Sequence, residues 1–150
     1  MEPTPQTPAA GPETAPPPAY RLYSTGQMTG ATVLGSPLAG CWLLASNYEA
    51  LGDRAARNRT WLTGILATAG AMALGYFLPD NFPDSVIAIS YTLGFREHFR
   101  LSQGTVFKKH IAAGGGRYSN WRAAGIGLLC LVGLLAVIGG VAMLLPGELF

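Results

Sequence analysis

The stretch ATVLGSPLAGCWLLA, residues 31–45, is apolar enough to enter a membrane, yet Gly35-Ser36-Pro37 interrupts it. It reads as a kinked spanning helix, as a broken half-helix at a binding site, or as a lipoprotein signal cut before Cys41 of Leu38-Ala39-Gly40-Cys41. Its flanks separate the three. Upstream, Ser24-Thr25-Gly26-Gln27 has the spacing of a capping box, in which the first and fourth side chains satisfy each other's orphan amides. Downstream, Trp42-Leu43-Leu44-Ala45 carries the apolar run past the supposed cut, and only Arg21 stands where a basic n-region would be needed. The lipoprotein motif is therefore a chance match. Pro37 has no amide to give the carbonyl of Val33, and its ring crowds that carbonyl, so a kink is expected. The expectation is one kinked helix over 25–49. Gly35, Ser36 and Pro37 are its candidate functional break, because such breaks expose backbone groups to substrates or ions in some transporters.

The rest of the chain supports a membrane setting. Of 150 residues 49% are hydrophobic and 12% charged, against about 25% charged in soluble domains. A net charge of +2 is too small to point to nucleic acid. Residues 1–20 form a proline-rich tail, with seven of the eleven prolines before Tyr20 and too little apolar surface to offset ordering. Residues 21–150 form the helical domain. Uncharged stretches predict further helices over 60–78 and 120–145, each near the roughly 20 residues that cross a bilayer. A weaker one over 83–100 has eleven uncharged residues, SVIAISYTLGF, before Arg96. The fold class is all-α, a four-helix transmembrane bundle, with three spans plus one re-entrant or interfacial helix as the alternative. Were the first helix not to cross, the tail would be cytoplasmic and three spans would remain.

Charge placement orients the bundle. Arg54, Arg57 and Arg59 lie in loop 49–59, and Arg96, Arg100, Lys108, Lys109, Arg117 and Arg122 in the segment 96–122. Four spans put both regions on one side, which the positive-inside rule makes cytoplasmic. The latter six, interleaved with aromatic residues, are candidate ligands for anionic lipid headgroups. A short amphipathic helix is expected over 105–113, and Gly114-Gly115-Gly116 reads as a hinge. Small residues at Gly64, Thr68, Ala71 and Gly75, and at Gly133, Ala136 and Gly140, form two stripes that allow close helix approach, and the two could face each other. His98 and His110 read as members of a hydrated basic loop. No catalytic, cofactor or metal site is predicted: ionisable groups suited to proton coupling are absent from 60–78, from the last helix after Arg122 and from the first between Arg21 and Glu49, and neither Cys41 nor Cys130 has a His or Cys at ligand spacing.

LYSTGQMTGATVLGSPLAGCWLLASNYEALG, followed by a second span, a proline-containing acidic turn and GGGRYSNWRAAGIGL, resembles a group of small bacterial multi-pass membrane proteins to which no function is assigned. The resemblance covers about residues 22–145 and implies an inner-membrane helical protein; it brings no catalytic residues. The expected function is non-enzymatic, a scaffold or accessory subunit. Its partners are the bilayer and either a membrane protein or further copies of itself. A passive channel or small transporter using the break is the alternative, with Thr32, Ser36, Ser46 and Asn47 as candidate lining.

Overall fold

The computed structural model describes residues 16–79 and 81–144, without the side chains of residues 84 and 142. Most of the tail expected over 1–20, and the last residue of the helix expected over 120–145, lie outside the described residues. Helix makes up 80% of what is described, in five helices: α1 (Thr25–Gly35), α2 (Pro37–Ala50), α3 (Arg54–Phe77), α4 (Asp84–Ala112) and α5 (Asn120–Leu144). Two short strands, β1 (Arg21–Leu22) and β2 (Gly116–Arg117), pair in parallel. The fold is all-α. Two of its helices, α3 and α5, are long and apolar enough to cross a membrane.

The single kinked helix expected over 25–49 is corrected. The capping box at Ser24 and Gln27 starts α1 with both reciprocal bonds made. The helix then stops at Gly35, and the chain reverses at Ser36, whose φ of 87° is the only positive value outside glycine among the described residues. Pro37 opens α2 at a helix's first turn, where a missing amide is harmless. Reversal, not bending, follows from the contacts. Asn47, near the end of α2, hydrogen-bonds both backbone groups of Tyr23, just before α1. Halfway along, a Cβ on Gly40 would strike the Thr32 hydroxyl. The two helices thus form an antiparallel hairpin. With 11 and 14 residues, its arms reach about 16 and 21 Å at 1.5 Å per residue.

The other helices run alongside. Leu38 and Cys41 meet Gly64 of α3, and Trp42 packs on Trp61 with ring centroids 5.3 Å apart, so α3 is antiparallel to α2. Phe99 of α4 covers Gly40, while Gln103 reaches Asn47, so α4 runs parallel to α2. Gln27 bonds Asn120, and Gly35 abuts the Gly127 carbonyl, so α5 runs parallel to α1. The buried core, with Tyr23, Met28, Leu43, Leu44 and Phe99 at its centre, surrounds the hairpin.

Two further boundaries differ from expectation. α3 begins at Arg54, not near Thr60, because the Asp53 carboxylate caps it by accepting from the Ala56 amide at 2.9 Å. α4 does not end near Arg100: it continues to Ala112, absorbing the short helix expected over 105–113. No proline interrupts this segment, and Glu97 and Arg100 pair across one turn at 2.8 Å. The helix ends where Gly114 takes a φ of 79°.

Candidate functional site

The hairpin has a tip and a base, and they differ chemically. At the tip, Ser36 donates its amide to Thr32 O at 3.0 Å and the Leu38 amide finds the Thr68 hydroxyl at 3.0 Å. Thr68 on α3 therefore satisfies one of the orphan donors that begin α2. Beside the tip lies a cavity of about 250 Å³ whose wall includes Ser36, Pro37, Thr68, Ala71, Gly75 and Tyr91. The candidate break at Gly35, Ser36 and Pro37 is thus covered in part: Gly35 is pressed against Gly127 of α5 and Pro37 is buried, while Ser36 stays partly exposed on the cavity wall.

The base is a buried polar layer. Asn47 is fully buried and makes three bonds: its Oδ1 accepts from Tyr23 N at 2.8 Å, and its Nδ2 donates to Tyr23 O at 2.9 Å and Gln103 Oε1 at 2.8 Å. Gln27 joins the N-terminus of α1 to α5 by donating to Tyr118 O and Asn120 Oδ1, each at 2.8 Å. Tyr23 stacks on Tyr118 at 4.4 Å, and the Arg122 guanidinium lies 4.6 Å over the same Tyr118 ring. Burial pushes the Tyr23 phenol above its ordinary pKa, and the Arg122 charge opposes this. His110 is not in a hydrated loop. It is buried at the end of α4, stacked on Tyr20, with Nε2 donating to Gly116 O at 3.0 Å. Gly115 is glycine because a Cβ there would overlap that imidazole ring. His98, by contrast, stays exposed, edge-on to Phe95 and Phe99.

Of the candidate channel-lining groups, Thr32 and Ser46 turn their hydroxyls onto carbonyls one turn back in their own helices, Met28 and Trp42. Asn47 is saturated within the polar layer, and Ser36 alone of the four borders the tip cavity. The two small-residue stripes do not meet each other. Gly64 and Thr68 pack against α2, Ala71 and Gly75 border the tip cavity, and Gly133 and Gly140 have nothing within 4 Å of a built Cβ. The close approach on α5 is made by Gly127, where a Cβ would lie 3.1 Å from Leu34 Cβ.

The six candidate headgroup residues divide. Arg96, Arg100 and Lys108 share one groove between α1 and α4. Arg117 lines a separate cavity with Gln27 and Asn120, Arg122 covers Tyr118, and Lys109 borders neither space. Of the residues that build the polar layer, the sequence marked Gln27 and Asn120 as helix caps, Tyr118 as an interfacial aromatic and Asn47 as channel lining, but not the roles of Tyr23 and Gln103. Gln103 falls in a segment read as loop and had no helical periodicity to mark it. No protein-family model, curated protein or solved structure matches the chain.

Proposed function

We propose that the chain is a non-enzymatic integral membrane protein of three spans and one re-entrant hairpin, acting as a small scaffold or accessory subunit. The observation that carries this is the poor burial of its most apolar helices. In the most apolar windows of α3 and α5 only 17% and 11% of residues are buried. A core helix of a soluble protein would be mostly covered, so these faces belong against lipid or the helices of a partner. The hairpin arms, at about 16 and 21 Å, reach roughly halfway through a 30 Å hydrocarbon core. Irregular backbone is tolerated at such depth where protein covers it or where it lines a cavity, as at Gly35 against α5 and at Ser36 beside the tip cavity.

Charge supports the same placement. With the hairpin, Arg21 joins Gly116 at the end that holds Arg54, Arg57, Arg59, Lys108, Lys109, Arg117 and Arg122. Arg100 and Arg96 sit about 18 and 24 Å along α4 from Ala112 and snorkel toward that end. That end is cytoplasmic by the positive-inside rule, and the sequence resemblance supports a bacterial inner membrane as its setting. Single cysteines at Ala19, Asn58 and Asn81, in a Cys41→Ala/Cys130→Ala background, test it with a membrane-impermeant thiol reagent. Ala19→Cys and Asn58→Cys label from the same side and Asn81→Cys from the other. Ala19→Cys labelling with Asn81→Cys would instead restore a fully crossing first helix.

The tip cavity favours a second reading, passive passage or binding of a small solute where the ends of α1 and α2 meet. Ser36→Cys in the same background must then react from at least one side. Protection from both sides ends that reading and leaves the scaffold.

A further inference from the structure

The groove that gathers Arg96, Arg100 and Lys108 is the feature with the most unspent chemistry. It measures about 880 Å³, several times the size of a phosphate. Positions 96, 100, 104 and 108 follow one another at one-turn spacing on α4, and three carry cations. Gly104, the fourth, keeps the floor open: a Cβ there would meet only Arg100 Cγ, at 3.6 Å. Arg100 pairs with Glu97 on the surface, whereas Arg96 and Lys108 make no ion pair among the described residues. Three cations face one carboxylate, so the groove has a surplus of positive charge. The facing wall is Ser24, Thr25 and Thr29 of α1.

One turn further along the same two helices the lining changes. A second hollow, of about 210 Å³, is bordered by Val33 on α1 and by Ile89 and Leu93 on α4. Along the same pair of helices, then, a polar, cationic groove is followed by a separate apolar hollow nearer the hairpin tip. This order of chemistry matches an amphiphile entering from the cytoplasmic leaflet, not a free anion.

We propose that the α1–α4 groove is a binding site for one anionic phospholipid, with its phosphate among Arg96, Arg100 and Lys108 and an acyl chain along Val33, Ile89 and Leu93. The site rests on the membrane placement above. It adds a defined stoichiometry and a lipid class to a general attraction for headgroups. An anionic lipid is preferred over a zwitterionic one because the latter brings its own cation into a groove already positive.

The test uses the full chain in mild detergent, with phosphatidylglycerol, phosphatidylcholine, glycerol 3-phosphate and inorganic phosphate as probes, read by native mass spectrometry. One phosphatidylglycerol is retained in preference to phosphatidylcholine. Arg96→Gln and Lys108→Gln each weaken retention about fivefold, from about 1 kcal/mol per cation near such a headgroup. Val33→Trp, which fills the apolar hollow, weakens it as well. Lys109→Gln and Arg54→Gln, at the same end but outside the groove, leave it unchanged. Melting temperature without added lipid checks that each variant is folded. Equal losses at Lys109 or Arg54 would reduce the effect to surface charge and overturn the site. Retention of the soluble phosphates as firmly as the lipid, with Val33→Trp inert, would make it a free-anion site and overturn the lipid assignment. Failure of the membrane placement is distinguishable, since it appears in the thiol-labelling pattern whatever lipid is retained.

Discussion

The two ends of this bundle are held by different forces. At the basic end, Tyr23, Asn47, Gln103, Gln27, Tyr118 and Asn120 link the ends of α1, α2, α4 and α5 by hydrogen bonds of 2.8–2.9 Å. Toward the other end, the outer parts of α3 and α5 and the start of α4 expose large apolar side chains such as Phe77, Ile89 and Leu135. The first arrangement is specific because buried polar groups tolerate few alternatives. The second is permissive, because lipid tails are as apolar as the side chains and drive no particular helix contact. The proposed accessory role would use both: a base that fixes the fold, and a surface that lipid or another helix can cover.

Substitutions can break this contrast in order of expected effect. Asn47→Ala strands both backbone groups of Tyr23 and the Gln103 amide. About 1–3 kcal/mol for a buried polar group left unpaired, for several such groups together, is large enough to unfold the hairpin, measured as loss of the thermal transition in detergent. Gly127→Leu comes next, because its side chain must displace Leu34 and Ala31 of α1. Overpacking of this kind costs about 1–3 kcal/mol, read as a lowered melting temperature with the fold retained. Gly133→Leu and Gly140→Leu should change stability least, within about 0.5 kcal/mol, because open space surrounds both. Their effect is expected in co-purification or oligomer size, where a partner helix would meet the added bulk. A large fall in melting temperature from Gly140→Leu alone would show that the outer region is as tightly specified as the base, and would dissolve the contrast.

Much of the local structure was legible. The capping box at Ser24–Gln27 is a purely local device, so its four residues sufficed. The apolar runs behind α3 and α5 were equally plain, and so was a break at Gly35–Pro37. The direction of the chain after that break was not. A kink and a reversal ask the same of Pro37; they part only at Ser36, whose positive φ is held by contacts between residues far apart in the chain. Asn47 with Tyr23, Gly40 with Thr32 and Phe99, and Gly35 with Gly127 choose the hairpin. The basic segment 96–122 misled for a related reason. Its charges suggested loop, but one face of that stretch is buried and holds it helical, Phe99 and Gln103 against the hairpin and His110 against Tyr20 and Gly116.

By itself, then, the sequence determined that this chain is helical, rich in apolar surface, and basic in a few short segments. Those properties are sums over neighbouring residues. Tertiary structure decided that the first helix folds back and that Arg21 lies beside Gly116. It also decided that three of the six headgroup candidates converge on one groove. These depend on which distant groups satisfy each other's hydrogen bonds and fill each other's missing Cβ positions, and pairings of that kind leave no local periodicity to read.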